Sequence, residues 1–140
     1  MRTIKFLRGL YLFFINRKES FTMTDIKELK SIEEWEQLKK ESLSKSELVI
    51  LKYSPYCSIS VFAEDNFDRW VSSLDGSAEL KIRKVNVVSE RPVSQQIAKD
   101  LKIVHESPQL IWLDREMSVK WNATHYEITK PAIEGKIKTK

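Results

Sequence analysis

Apolar residues near residue 35 recur at helical spacing and then merge into a continuous run. Ser31 followed by Glu34 has the form of a capping box, and the apolar positions of 32–43 fall roughly on one helical face. This pattern predicts an amphipathic helix whose buried side is formed by Ile32, Trp35, Leu38 and Leu43. Residues 48–53, LVILKY, are β-branched and apolar enough to predict a buried strand that ends at Ser54-Pro55.

The middle of the chain alternates between helical and strand periodicity. From Ile59 onward, apolar residues return every three or four positions until Asp75-Gly76, which predicts a helix with one buried face. Residues 80–88 alternate as in a strand, with apolar residues on both faces, and 91–101 predict another helix. The positions expected to face the core in the first of these helices are Phe62, Ala63, Phe67, Trp70, Val71 and Leu74.

The last third of the chain predicts a hairpin and a terminal helix. The hairpin joins 109–113 to 119–123, and Thr129 with Pro131 in the first turn begins the helix. A strand–helix–strand crossover makes the first two strands parallel, whereas the short turn makes the last pair antiparallel. We therefore predict an α/β fold, a mixed central sheet with helices on both faces, in which Trp35, Trp70, Trp112 and Trp121 face the core.

Length and charge limit the classes of function. The 140 residues, 41% of them hydrophobic, suffice for one core and are too few for two full domains. The net charge of +4 arises from residues 1–22, which hold five basic side chains and one acidic side chain. From Met23 onward the chain is electrically balanced, which argues against a nucleic-acid-binding surface.

Residues 1–22 are interpreted as an N-terminal extension to a domain spanning 23–140. Their apolar run, 6–15, is interrupted by Arg8 and Gly9 and is shorter than the roughly 20 residues that span a bilayer. The favoured interpretation is that translation begins at Met23, which makes the protein cytoplasmic; the alternative is a membrane-surface anchor with a basic flank.

The scarcity of cysteine and glycine excludes several kinds of chemistry. Cys57 is the only cysteine, so no intramolecular disulfide can form, and His105 and His125 are too far apart for the usual structural zinc spacings. Three glycines cannot form a glycine-rich phosphate loop or a dinucleotide fingerprint. We expect no bound metal and no bound cofactor.

Cys57 follows the first buried strand and begins the next helix. Unpaired N–H groups and the macrodipole at a helix start favour a thiolate, which is the form that reacts with disulfides. The alternative is a small buried hydrophobe, the common role of a lone cysteine. Ser60 stands where a Cys-x-x-Cys site has its second cysteine, so its hydroxyl can hydrogen-bond the thiolate but cannot resolve a disulfide.

Five short blocks resemble one family: KYS at 52–54, CSIS at 57–60, RPVS at 91–94, HESPQ at 105–109 and WNATH at 121–125. Together they resemble the YtxJ family of small thioredoxin-like proteins, which is assigned to the bacillithiol system as monothiol bacilliredoxins. The resemblance runs from about Met23 to the end. The chain differs from the family in having Ser58 where proline is usual after the cysteine, and Thr124 where serine is usual.

The resemblance also implies two substrate-binding loops. The cysteine loop would contribute Ser54, Tyr56 and Ser58. The second loop would contribute His105, Ser107 and Pro108, with a cis Ser107–Pro108 bond facing Cys57 and the Ser107 backbone pairing with the incoming thiol compound or peptide.

Two histidine roles stay open. His105 as the general base of a cysteine-hydrolase dyad lacks an evident oxyanion hole and an orienting partner beyond Glu106. His125 is expected to cap or pack beside the terminal helix.

The resulting hypothesis is a monothiol-disulfide exchange protein that removes bacillithiol from mixed disulfides on protein cysteines. Its partners would be a low-molecular-weight thiol and thiolated client proteins, with bacillithiol as co-substrate and resolving thiol. Two alternatives remain: a non-catalytic thioredoxin-like adaptor module, for instance in the general stress response, and an iron–sulfur carrier that needs a second chain to complete four ligands.

Overall fold

A computed structural model describes residues 26–76 and 79–137 as one five-stranded sheet with helices packed on both faces. The strand order is β1-β3-β2-β4-β5, where β1 and β2 run parallel to β3, and β4 runs antiparallel to β2 and β5. The predicted mixed sheet is thereby confirmed. The elements are β1 (Ile26–Glu28), α1 (Ile32–Ser42), β2 (Glu47–Tyr53), α2 (Ser58–Ser72), β3 (Leu80–Asn86), α3 (Arg91–Leu101), β4 (Gln109–Leu113), β5 (Val119–Thr124), a 3₁₀ turn (His125–Glu127) and α4 (Lys130–Ile137).

One strand was missed, and one predicted strand was too long. The short edge strand β1 was missed because its three residues are all exposed and show no apolar alternation. The strand predicted over 80–88 ends at Asn86, whose side-chain Oδ1 accepts hydrogen bonds from the N–H groups of Val88 and Ser89. This Asx turn directs the chain into α3.

The side chains of β2 alternate between two cores. Val49 and Leu51 pack with α2 and α4, whereas Leu48 and Ile50 pack with α1 and α3. Each face of the sheet is therefore covered by a helix pair, which is why five consecutive residues of β2 are buried. Trp35, Trp70 and Trp112 are buried as predicted, while Trp121 is partly buried against the α2 core.

The predicted apolar face of α1 was too wide. Ile32 and Leu43 are 37% and 48% exposed, because they lie at the first residue and the C-cap of the helix. Trp35 and Leu38, in its middle, are the residues that reach the core. The predicted start of the terminal helix is confirmed, with Pro131 in its first turn.

None of the helices in the described ranges is long and apolar enough to cross a bilayer. Residues 1–22, including the choice between a start at Met23 and a membrane-surface anchor, lie outside those ranges.

Candidate functional site

Cys57 lies at the junction between β2 and α2, as the sequence predicted. It is the N-cap residue of α2, with extended backbone angles of φ −115° and ψ 124°, and it is partly exposed. Its carbonyl accepts the N–H of Val61 at 3.1 Å, the first hydrogen bond of the helix. The N–H groups of the first turn have no intrahelical acceptor, so the positive end of the helix dipole adjoins the thiol.

The buried side chain of Ser60 stabilises the cysteine loop. Its side chain is fully buried, and its Oγ accepts the N–H of Ser54 at 2.9 Å. Since the N–H of Cys57 points back to the carbonyl of Ser54 at 3.4 Å, the loop is held at both ends. The hydroxyl proton of Ser60 is still able to donate, and its predicted hydrogen bond to the thiolate stays a prediction.

The Ser107–Pro108 peptide bond is cis, as predicted. In the register of β2 and β4, Lys52 pairs with Gln109. Because these strands are antiparallel, the residues before Gln109 lie alongside those after Lys52. Ser107 and Pro108 therefore border the start of the cysteine loop.

Gln109 anchors this second loop. Its side chain is fully buried, donates from Nε2 to the carbonyl of Val104 at 3.1 Å and to Oδ1 of Asn122 at 3.0 Å, and accepts the N–H of Glu106 at 3.3 Å. These bonds give the HESPQ block a structural role that the sequence did not reveal.

The backbone N–H of His125 donates to the carbonyl of Pro108 at 3.1 Å, which ties the second loop to the end of β5. His125 also begins the 3₁₀ turn that precedes α4. His125 thus lies just before the terminal helix, and it also contacts the second loop through its backbone N–H, which was not predicted.

His105 contacts a buried lysine. Its Nδ1 lies 3.3 Å from Lys52 Nζ and 3.3 Å from Ser94 Oγ. Burial, followed by the charge of Lys52, lowers the pKa of the His105 imidazole. The structure thus joins Nδ1 to Lys52 and Ser94; the predicted substrate contact of His105 stays a prediction.

Lys52 is the least expected residue of the site. It is 0% exposed, and burial lowers the pKa of its amine to about 8. Its Nζ donates to the carbonyl of Ser94 in α3 at 2.8 Å. The one signal in the sequence was a lysine at the end of an otherwise apolar strand.

Exposed apolar side chains flank Cys57. Tyr56 is 87% exposed, and Val61, one helical turn after the cysteine, is 59% exposed. Phe62, expected in the core, is 38% exposed and instead packs edge-on against the ring of Tyr126 at a centroid distance of 5.4 Å. We call these four residues the apolar rim: Tyr56 and Val61 lie near Cys57 in the chain, Phe62 follows Val61, and Tyr126, itself exposed, packs on Phe62.

Solved structures similar to this chain have the thioredoxin fold. The chain is 27% identical to a proposed oxidoreductase with a thioredoxin fold, with a TM-score of 0.68 over 81% of this chain and 94% of that one. It is 17% identical to thioredoxin f from spinach chloroplast, with a TM-score of 0.59 over 83% and 96% of the two chains. It is 18% identical to a thioredoxin of Schistosoma mansoni, with a TM-score of 0.60 over 81% and 96%.

The thioredoxin-like fold is thereby confirmed. A family model described as monothiol bacilliredoxin BrxC matches residues 27–133. This range includes both loops and all five strands except Ile26, the first residue of β1. With a single cysteine at the start of α2 in a thioredoxin fold, the chain belongs to the monothiol bacilliredoxin BrxC family, whose fold and chemistry support a role in thiol–disulfide redox reactions.

Proposed function

We propose that this protein removes bacillithiol from mixed disulfides on the cysteines of client proteins, in the cytoplasm. The observation that carries the proposal is the position of Cys57, a partly exposed thiol at the N-cap of α2 in a chain with no second cysteine. A thiol in this position is available for attack and, once bonded, is a good leaving group.

The exchange takes place in two balanced steps. The Cys57 thiolate attacks the bacillithiol sulfur of the client's mixed disulfide, forming a Cys57–bacillithiol disulfide and releasing the client cysteine as a thiolate. A second bacillithiol thiolate then attacks that adduct, yielding oxidised bacillithiol and regenerating the Cys57 thiolate. The net reaction consumes one free bacillithiol, whose thiol is oxidised as the client cysteine is reduced, and both bacillithiol molecules leave as their disulfide.

Ser60 explains why the adduct has to wait for an outside thiol. A second cysteine at this position would close an internal disulfide, whereas the Ser60 hydroxyl cannot, and its Oγ is occupied with the N–H of Ser54. The intermediate is therefore a simple one-to-one adduct.

The two loops supply contacts for the substrate. Ser54, Tyr56 and Ser58 surround the thiol in sequence, and the backbone of Ser107, two residues before Gln109, would pair with an extended segment of the substrate. The apolar rim of Tyr56, Val61, Phe62 and Tyr126 suits the polypeptide around a modified client cysteine, since exposed apolar patches mark protein contacts.

Intact-mass spectrometry tests the proposal directly. Protein exposed to oxidised bacillithiol should gain one bacillithiol per chain, Cys57→Ser should gain none, and added bacillithiol should remove the adduct. A bacillithiol-modified client should be reduced by the wild type and not by Cys57→Ser. Binding of the client without any adduct or reduction would instead support the non-catalytic adaptor.

A further inference from the structure

The polar cluster of Lys52, Ser94 and His105 lies beside the second loop and has no part in the exchange steps described above. Lys52 extends from β2 toward α3 and is wholly buried, and its amine is shared between the carbonyl of Ser94 and the ring of His105. Burying a lysine amine is costly unless hydrogen bonds compensate for the lost hydration. The hydrogen bonds that compensate for burial of the Lys52 amine also fix the groups that accept them.

The chemistry of these groups determines the protonation of the imidazole. An ammonium has donors and no acceptor, so a hydrogen bond between Lys52 Nζ and the His105 Nδ1 at 3.3 Å makes Nδ1 the acceptor, and Ser94 Oγ, also at 3.3 Å, can then donate to it. In the neutral ring the proton then resides on Nε2. His105 is an exposed residue of the second loop, and Nδ1 is the ring nitrogen that faces Lys52, which leaves Nε2–H as the donor for other contacts.

We propose that Lys52 is a positioning residue, which fixes His105 as its Nε2–H tautomer and holds the second loop in place so that this N–H can donate to the incoming thiol compound. The last part rests on the proposed function.

Two further structural connections support this geometry. Lys52 is paired with Gln109 in the sheet, and Gln109 in turn binds the carbonyl of Val104, the residue before His105. Lys52 also lies only five residues before Cys57. One side chain therefore joins the strand that leads to the thiol, the helix α3, and the loop that approaches the thiol from the neighbouring strand.

Nuclear magnetic resonance of the intact protein labelled with ¹⁵N-histidine tests the tautomer. The sequence has two histidines, so His125 serves as an internal reference. In the wild type, His105 should show an unprotonated, hydrogen-bonded Nδ1 and a protonated Nε2. Lys52→Met, which keeps the length of the side chain, should mix the two tautomers and raise the pKa of His105, leaving His125 unchanged.

Exchange kinetics test the functional part. Lys52→Met should slow reduction of a bacillithiol-modified client peptide roughly fivefold, the loss expected for about one hydrogen bond. Its rate of alkylation by iodoacetamide should stay within about twofold of the wild-type rate, because so small a reagent does not need the loop. His105→Asn keeps an acceptor for Lys52 and loses the Nε2 donor, so it should slow the same exchange while the protein stays folded.

Lys39→Met is the matched control. Lys39 also binds a residue of α3, Asp100 at 2.9 Å, and lies on the same side of the sheet. It should leave the His105 spectrum and the exchange rate unchanged.

The inference is overturned if His105 shows the Nδ1–H tautomer, if Lys52→Met leaves the tautomer unchanged, or if Lys52→Met and His105→Asn exchange at the wild-type rate. A wild-type protein that exchanges no bacillithiol would overturn the proposed function, and the exchange part of the inference with it. The histidine spectrum decides the tautomer part separately.

Discussion

The two faces of the sheet are covered by similar helix pairs but differ in what they bury. Under α2 and α4 the interior is mainly apolar and aromatic, with Phe67, Trp70 and Trp112 in contact, and the buried polar side chains of α2 are the uncharged Ser60 and Asn66. Under α1 and α3 an apolar core ends in Lys52 and its polar partners, at the end of β2 that leads to Cys57. Aromatic packing dominates the first face, whereas the second buries the amine of Lys52 close to the strand end that leads to Cys57.

The largest expected effect is on the apolar face. Trp70 is fully buried and its ring lies 5.6 Å from the rings of both Phe67 and Trp112. Trp70→Ala should lower the free energy of unfolding by about 3–5 kcal/mol, measured by urea denaturation. The protein that remains folded should alkylate Cys57 at the wild-type rate; a large change in that rate would break the separation of the two faces.

Burial of Lys52 on the polar face should make the free energy of unfolding depend on pH. The pKa of Lys52 is lowered from 10.5 to about 8, so between these values the unfolded chain retains a proton that the folded protein has released. The contribution of Lys52 to the free energy of unfolding of the wild type therefore rises with pH between 8 and 10.5, by about 3 kcal/mol over the whole interval. We expect the difference in unfolding free energy between wild type and Lys52→Met to change by up to this amount from pH 8 to 10.5.

Comparing wild type with Lys52→Met also cancels the effect of Tyr53, which titrates in an overlapping pH range. Burial raises the pKa of Tyr53 to about 12, which makes stability fall with pH above about 10. Tyr53 is present in both proteins, so its contribution cancels. A pH-independent difference would show that Lys52 is solvated in solution.

A smaller effect is expected in the cysteine loop. Ser60→Ala removes the acceptor of the Ser54 N–H and should cost about 1–3 kcal/mol, with slower reduction of the client because the loop is less well held. Ser72→Ala, at the exposed far end of α2, is the control and should change stability by less than about 0.5 kcal/mol. Equal effects from the two substitutions would argue against a bracing role for Ser60.

The smallest effect should come from removing residues 1–22. The sheet and both cores described here are built from residue 26 onward, and the removed stretch carries no predicted strand. Thermal melting of a chain beginning at Met23 should differ from that of the full chain by a few degrees at most. A much larger loss would show that this segment belongs to the folded domain.

Most of the architecture was predictable because it depends on local patterns. The helical repeat around Phe67, the apolar run of β2 and the Ser54-Pro55 break indicate elements whose periodicity is visible within a few residues. The order of those elements, with the crossover rule, predicts the mixed sheet. The position of Cys57 at a helix start follows from the same reasoning.

Contacts between distant segments were not predictable in this way. The edge strand β1 exists because it pairs with β3, and Ile32 and Leu43 are exposed because α1 turns only its middle toward the core. Ser60 was predicted as a hydrogen-bond donor to the thiolate; that its Oγ also accepts a backbone N–H six residues earlier was not predictable from the sequence.

The sequence alone was enough to predict a mixed α/β sheet, a single thiol at the start of a helix, and serine rather than a resolving cysteine at position 60. Only the tertiary structure decided that Lys52 is buried and joined to Ser94 and His105, residues 42 and 53 positions further along the chain. The physical reason is that burial depends on which segments cover a side chain. A lysine at the end of a strand is normally solvated, and here α3 and the second loop close over it.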